Sequence, residues 1–229
     1  MSGRIIFITG AKGGLGNFVS KKFLDAGEMV IGAALSIRES DFNNANFIAV
    51  PMDLTDANAV REITDDIVKR FGHIDVLVHV AGGFAGGTPI HETDPGVWSK
   101  MQDQNLNAAF NVARAVIPHM RKEGRGRFIA VGSKAAEQAH PNLGAYVVSK
   151  SGLAIMMKTL AMENADRGLN VNMVLPGTMD TPANRAAMPD VDPKTWVNPA
   201  LVANVIFWLA SKEASQTNGA AIPVSGREI

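Results

Sequence analysis

Arg4-Ile-Ile-Phe-Ile-Thr-Gly-Ala-Lys-Gly-Gly-Leu-Gly16 is the stretch from which the rest of the chain can be read. A short run rich in Ile stops at a cluster of glycines, and an amphipathic segment follows at once. Apolar runs of that length, bounded by turn residues, read as buried strands. Strand, glycine turn and helix in that order set backbone N–H groups and a helix N-terminus against a pyrophosphate. Gly10, Gly14 and Gly16 are the glycines that matter, with Leu15 enclosed between the last two. A Cβ at those positions would hold the backbone away from a phosphate. The spacing G-x-x-x-G-x-G is not the G-x-G-x-x-G of other dinucleotide folds. It is not a P-loop either, because no Gly-Lys-Ser/Thr closes it. A tight turn in any α/β protein is the plain alternative for the motif taken alone.

Outward from this loop, short apolar runs rich in Val and Ile recur at 4–9, 29–34, 46–50, 75–80, 127–131, 170–174 and 220–224. Between them lie helical candidates at 14–26, 56–71, 94–122, 143–167 and 199–211. Strand–helix alternation along the whole length predicts parallel strands with helices on both faces. Right-handed crossovers then give a doubly wound α/β sheet of about seven strands, a Rossmann fold. No linker, repeat or low-complexity tract interrupts the pattern, so one domain over 1–229 is expected. The segment 175–199 holds Pro176, Pro182, Pro189, Pro193 and Pro199, which predicts a largely irregular excursion. Its central part, 177–198, reads as a substrate lid.

Composition narrows the classes of function. Lys plus Arg number 22 and so do Asp plus Glu, and a neutral chain argues against a nucleic-acid or anionic-membrane surface. The absence of Cys excludes disulfide scaffolds, thiol nucleophiles and cysteine metal sites. Met1-Ser-Gly-Arg runs straight into the first strand, with no leader pattern, and no apolar stretch approaches the ~20 residues of a membrane helix. A cytoplasmic protein is expected.

Asp53 and Leu54 end the third strand in Pro51-Met-Asp-Leu-Thr55, where a carboxylate can accept from an adenine amino group. The alternative is a helix cap, for which Thr55 or Asp56 stands better placed. Ala81 and Gly82 end the fourth strand, small enough for a ribose to pack on the backbone. Tyr146-Val-Val-Ser-Lys150 holds the chain's one tyrosine. Positions i and i+4 share a helix face, and an ammonium beside a phenol lowers its pKa towards the range useful for proton transfer. Ser133 ends the preceding strand at the same sheet edge, where a hydroxyl can bond a carbonyl oxygen as charge develops. A lone Y-x-x-x-K is an ordinary surface pair; the combination is what carries information.

These motifs in this order resemble the short-chain dehydrogenase/reductase family, and the resemblance runs from Arg4 to Gly226. It rests on Thr9-Gly-x-x-x-Gly-x-Gly16, Asp53, Ala81-Gly82, Asn105, Ser133, Tyr146-x-x-x-Lys150 and Pro176-Gly-x-x-x-Thr181. It implies an NAD(P)-dependent oxidoreductase of carbonyl and alcohol substrates. Tyr146 would be the acid/base, and Lys150 would tune it and hold the nicotinamide ribose. Ser133 would fix the substrate oxygen, and Asn105 would anchor a water in a proton relay, with Asn107 as its rival. Pro176, Gly177, Thr178 and Thr181 would hold the nicotinamide carboxamide. The family also implies a homodimer or homotetramer through the helices carrying Asn105 and Tyr146. Ala108, Val112, Val116, Ile155, Met156 and Thr159 suit such a contact, and suit packing on the sheet as well.

The chain departs from the family pattern twice. His79-Val-Ala-Gly82 stands where Asn-Asn-Ala-Gly is usual, and His79 reads as a buried structural residue. The second strand ends in Ala33-Ala-Leu-Ser-Ile-Arg38 without the acid of NAD-preferring members. Lys12, Ser36 and Arg38 there suit a 2′-phosphate, which favours NADP(H) over NAD(H), although Arg38 also reads as a plain solvated charge. Two loops, Ala81-Gly-Gly-Phe-Ala-Gly-Gly87 and Asp180-Thr-Pro-Ala-Asn-Arg-Ala-Ala-Met-Pro189, resemble dihydropteridine reductase, whose alternative reaction is reduction of a quinonoid pterin with NADH. That branch usually has Ala at the position of Ser133, so Ser133 with Asn105 favours a carbonyl or alcohol. The shared loops suggest a flat or aromatic substrate packed near Phe84, Met179, Met188 and Trp196; all four read equally as lid core, and for Met188 and Trp196 that is the stronger reading. A non-catalytic nucleotide sensor is the reading from another class. The histidines at 73, 79, 91, 119 and 140 show no ligand spacing, so no metal is expected. His140 can line the site from its loop.

Overall fold

The computed structural model describes residues 3–226. Met1, Ser2, Arg227, Glu228 and Ile229, counted above into one domain, lie outside the described residues. The strands are β1 (Ile5–Thr9), β2 (Met29–Ala34), β3 (Phe47–Pro51), β4 (Val76–His79), β5 (Gly126–Val131), β6 (Leu169–Pro176) and β7 (Ala221–Val224). All pair in parallel, in the order β3-β2-β1-β4-β5-β6-β7. The helices are α1 (Gly14–Asp25), α2 (Ala57–Phe71), α3 (Pro95–Gln102), α4 (Ala108–Glu123), α5 (Gly144–Glu163), α6 (Pro182–Ala187) and α7 (Pro199–Leu209). Among the described residues, no helix is long and apolar enough to cross a membrane.

Alternation along each strand divides the core between two faces. Ile5, Phe7, Leu77, Phe128 and Val171 point to one, packed against Val60 and Ile67 of α2, Val112 and Val116 of α4, and Leu153 and Met157 of α5. Ile6, Ile8, Val76, Val78 and Ile129 point to the other, against Val19 and Phe23 of α1 and Val202 and Ile206 of α7. Strands buried on both faces explain why the runs are continuously apolar rather than alternating. Each such side chain removed from water contributes about 1.5–3 kcal/mol. Ala108, Val112 and Val116, which suited a contact between copies, are spent on this chain's own core, whereas Ile155 is 64% exposed.

Three expectations about helices are corrected. The helix expected over 94–122 is α3 and α4 joined by a π turn, Asp103–Asn107. The turn's extra residue rotates Asn105 inward to polar partners described below, a common use of such a bulge. The helix expected over 143–167 stops at Glu163, and a 3-10 turn, Ala165–Arg167, follows it. The excursion over 175–199 is not wholly irregular. Thr181 caps α6 and Asp192 caps a 3-10 turn, Pro193–Thr195, and in both a proline takes a first-turn position where no N–H is needed. A parallel bridge between Met179 and Val197 ties the base of the excursion together. Asp56, not Asp53, caps α2, accepting from the N–H groups of Asn58 (3.0 Å) and Ala59 (3.1 Å).

Candidate active site

Strand order reverses between β1 and β4, and open parallel sheets bind ligands beyond the carboxyl ends at such a point. A cleft of about 2000 Å³ opens there. That is twice the upper end of the roughly 300–1,000 Å³ usual for one small ligand, so the volume suits an extended cofactor together with a substrate.

The glycine loop builds one wall. Gly10 has φ +69°, and a Cβ on it would sit 2.7 Å from the Ala81 nitrogen, so the junction of β1 with the end of β4 requires glycine. Gly13 is the N-cap of α1 and supplies no side-chain cap, so the first-turn N–H groups stay available where Gly13, Gly14, Leu15 and Gly16 line the cleft. A Cβ on Gly14 would come within 3.0 Å of the Thr181 side chain. Loop and excursion therefore approach each other closely across the place where a diphosphate would lie. Uncapped N–H groups and missing Cβ atoms together fit a dinucleotide.

Lys12, Ser36, Asp53 and Leu54 line the far end of the cleft. The Asp53 carboxylate accepts from Thr55 N (2.9 Å) and Thr55 Oγ1 (2.7 Å), which holds its pKa below the ordinary value. Arg38, a candidate for a 2′-phosphate and equally a solvated charge, is exposed and lies outside the cleft lining. The reason is local: its N–H closes a 3-10 turn, Glu39–Asp41, by donating to Asp41 Oδ2 (2.9 Å), and the turn leads the chain away from the strand edge.

The other end gathers the polar residues. Ala81, Gly82, Ser133, Tyr146, Lys150, Pro176, Gly177, Thr178, Met179 and Thr181 all line it. Lys150 reaches under the site and donates from Nζ to the Val131 carbonyl at the end of β5 (3.0 Å). Burial pushes the Lys150 pKa down to about 8. The Tyr146 pKa is raised by burial, opposed by a hydrogen bond to the Ser133 hydroxyl. The expectation of a lowered phenol pKa is thus reversed in this structure: burial outweighs Ser133, and the ammonium is committed to the Val131 carbonyl. Ser133 Oγ also accepts from Ala135 N (3.2 Å). Thr181 Oγ1 accepts from Asn184 N (3.2 Å), so the residue expected to touch a carboxamide also starts α6.

Asn105 is fully buried and does not line the cleft itself. Its Oδ1 accepts from Gly83 N (2.9 Å), and its Nδ2 donates to Gly83 O (3.1 Å) and Ser149 Oγ (3.0 Å). Ser149 Oγ donates in turn to Tyr146 O (2.7 Å). The side chain thus braces the Gly82–Gly83 floor against the helix that carries Tyr146. Ser149 was missed in the sequence, although its position three residues after Tyr146 and beside Lys150 sets it on the inward face of α5. His79 is fully buried, as expected; its Nδ1 shares a 2.8 Å hydrogen bond with Thr9 Oγ1 on β1, and its Nε2 has no partner. Burial, assisted by the Lys150 charge, lowers its pKa to about 3.

Phe84 is 67% exposed, and its ring stands edge-on to Tyr146, with centroids 5.0 Å apart and planes at 69°. Leu143, not expected in the site, and Met188, weighed for substrate packing but read chiefly as lid core, join Phe84 and Met179 in lining this end. Trp196, within the excursion, is buried. His140 is exposed at the rim. Among the described residues no cluster of His, Asp and Glu could hold a metal ion.

A family model described as short chain dehydrogenase matches residues 4–192. A 3-oxoacyl-[acyl-carrier-protein] reductase of Thermotoga maritima is 30% identical, the match covering 99% of this chain and 98% of that protein. The enzyme of the same name from Escherichia coli K12 is also 30% identical, over 98% of this chain and 96% of its own. The crystal structure of a short chain dehydrogenase/reductase family oxidoreductase from Burkholderia thailandensis superposes with a TM-score of 0.86 at 32% identity, covering 99% of this chain and 92% of that one. With likeness running through the glycine loop, the strand-end serine and the Tyr–Lys helix alike, the chain belongs to the short-chain dehydrogenase/reductase family and is an NAD(P)-dependent oxidoreductase acting on carbonyl and alcohol groups.

Proposed function

We propose that the chain interconverts a small ketone and its alcohol, with Tyr146 as acid/base, Ser133 as the donor to the substrate oxygen and Lys150 as the cation beneath them. The observation that carries this reading is the Ser133–Tyr146 hydrogen bond at the end of the cleft floored by buried Lys150. Bound in the cleft, the nicotinamide supplies or takes the hydride. Tyr146 then hands its proton to the carbonyl oxygen while Ser133 donates to the same oxygen. Burial keeps the phenol protonated at neutral pH, so it starts as an acid, which suits reduction. The Lys150 ammonium, charged below about pH 8, stabilises the phenolate left behind and holds the cofactor ribose. Asn105 keeps floor and helix in register and anchors the relay that returns a proton to Tyr146.

The remaining assignments complete the reading. Gly10, Gly14, Leu15 and Gly16 cradle the diphosphate, Asp53 and Leu54 the adenine, and Ala81 and Gly82 the riboses. Pro176, Gly177, Thr178 and Thr181 take the carboxamide. Lys12 and Ser36 flank the adenosine ribose and favour NADP(H), without Arg38. Phe84 and Met179 receive an apolar or flat substrate, and 177–198 acts as its lid on one nucleotide-binding domain. Exposed Phe110, Val148 and Ile155 on α4 and α5 suit a homodimer or homotetramer. A chain without cysteine fits the reducing cytoplasm. The 3-oxoacyl substrates named for the relatives are carbonyl compounds, as this reading requires. A quinonoid dihydropteridine reductase is not favoured, because nothing in a pterin ring nitrogen needs Ser133.

Oxidation of NADPH and NADH, followed in parallel with a panel of aromatic and aliphatic ketones and with quinonoid dihydropterin, tests it. Ketone turnover that Tyr146→Phe lowers by about 10²–10⁴ while cofactor binding persists is the expected result. Turnover of the pterin alone, or a Tyr146→Phe variant with most of its rate, overturns it.

A further inference from the structure

The far end of the cleft carries a feature that cofactor chemistry alone does not explain. Lys12, the third residue after Thr9 in the glycine loop, leans over the end of β2. Its Nζ donates to the Ser36 carbonyl (3.2 Å) and pairs with Asp41 Oδ1 (3.0 Å). Asp41 is fixed from behind, since its Oδ2 accepts from Arg38 N (2.9 Å) and its side chain is 21% exposed. The Lys12 hydrogen bond and then the Arg38 N–H hold the Asp41 carboxyl below its ordinary pKa, so it stays anionic at neutral pH. Lys12 is the cation beside Ser36 in the cleft lining; Asp41 and Arg38 both lie just outside it, and the Arg38 charge also acts on Asp41. The charge that would attract a 2′-phosphate is therefore already matched by a carboxylate.

We propose that Asp41 is the specificity-determining residue of the cofactor site: it competes with a 2′-phosphate for the Lys12 ammonium and thereby narrows the preference for NADP(H) over NAD(H). This rests on the reading that Lys12 and Ser36 flank the adenosine ribose. A 2′-phosphate brings close to two negative charges, and to reach Lys12 it must share an ammonium that has a carboxylate 3.0 Å away. Repulsion between such a dianion and a carboxylate at about 6 Å, in surroundings near the dielectric of water, weakens binding about tenfold. Salt reduces the effect, because exposed charges are screened over roughly 8–10 Å at ordinary ionic strength. A 2′-hydroxyl carries no charge, so NADH is indifferent to Asp41.

The experiment measures dissociation constants for NADPH and NADH, by nicotinamide fluorescence without substrate, on the wild type, Asp41→Asn, Lys12→Ala and the double variant. Asn keeps an oxygen for the Arg38 N–H, so the turn closes, and NADH binding reports that each variant is folded. The expected result is NADPH bound about tenfold tighter by Asp41→Asn at low salt, a gain that shrinks as salt rises and is smaller on the Lys12→Ala background, where only the direct repulsion is relieved and no ammonium is freed. NADH affinity stays within about twofold, since a neutral hydroxyl feels little of the field. Unchanged or weaker NADPH binding in Asp41→Asn overturns the competition; weaker binding would mean that the carboxylate presents Lys12 to the phosphate. If Lys12→Ala alters affinity for neither cofactor, the adenosine ribose does not lie against Lys12, and the underlying reading fails with the proposal.

Discussion

Replacing His79 by Asn should flatten the acid limb of this protein's stability, and the size of the effect follows from where the imidazole sits. His79 is fully buried at the end of β4, between Thr9 on β1 and Ala130 on β5, with one nitrogen bonded to the Thr9 hydroxyl and the other without a partner. Burial takes its pKa from 6.5 to about 3, and the nearby Lys150 charge acts in the same direction. The folded value lies below the unfolded one. Between those two values the unfolded chain accepts a proton that the folded chain refuses, so stability falls as pH falls through the window. The slope approaches about 1.4 kcal/mol per pH unit, and from pH 7 to pH 5 this one group removes about 2 kcal/mol. Urea unfolding at pH 7, 6 and 5, followed by circular dichroism without cofactor, measures it. Asn does not titrate and keeps a polar partner for Thr9. The carboxylates are common to both proteins, so the difference between their slopes isolates His79 whatever the variant's absolute stability. Wild type should lose about 2 kcal/mol more than His79→Asn over that range. Two parallel profiles, within about 0.5 kcal/mol, would refute the reasoning and mean that the native imidazole already takes up a proton.

Other outcomes follow from the same geometry. Cofactor affinity should weaken as pH rises through about 8, where the buried Lys150 loses its charge, and Lys150→Met should bind less tightly with no such step; a titration with the step intact in the variant would count against Lys150. Asn105→Leu leaves the Gly83 N–H, the Gly83 carbonyl and the Ser149 hydroxyl short of a partner. Gly83 is only half-buried and can turn to water, so the cost is about that of one or two buried polar groups, about 1–3 kcal/mol in urea unfolding, and an undiminished midpoint would contradict the bracing role. Phe84 is largely exposed, so Phe84→Ala should leave stability within about 0.5 kcal/mol. The KM for an aromatic ketone should rise about tenfold as the apolar contact is lost, with that for a small aliphatic ketone little changed; equal shifts for both would remove Phe84 from substrate recognition.

Much of the fold was legible because parallel strands buried on both faces announce themselves as continuous apolar runs. Each of the seven runs overlaps a strand whose ends lie within two residues of those expected. Periodicity failed where a helix changes hand-over rather than character. The sequence around Asn105 is apolar at helical spacing on both sides, and one extra residue in a π turn leaves that spacing almost undisturbed while rotating the Asn inward. The excursion misled for a related reason. Prolines were counted as breakers, yet Pro182 and Pro193 follow Thr181 and Asp192, and a proline directly behind a capping residue starts a helix.

The site divides along the same line between local and summed effects. Positions of Ser133, Tyr146 and Lys150 follow from strand ends and an i, i+4 spacing, which are local, and all three line one end of one cleft. Their charge states do not. The Tyr–Lys spacing alone argues for a lowered phenol pKa, but the direction depends on every atom that excludes water from Tyr146 and on where the Lys150 ammonium is already engaged. Lys12 and Arg38 divide in the same way: both are basic residues near the end of β2, but a turn closed by Asp41 sends one outward and engages the other. Asp41 lies five residues beyond Ser36 in a polar stretch with no motif, so nothing in the sequence marks it. A catalytic centre of this kind is therefore readable as a set of addresses, whereas its proton affinities and its choice between a phosphate and a hydroxyl are properties of the packed chain.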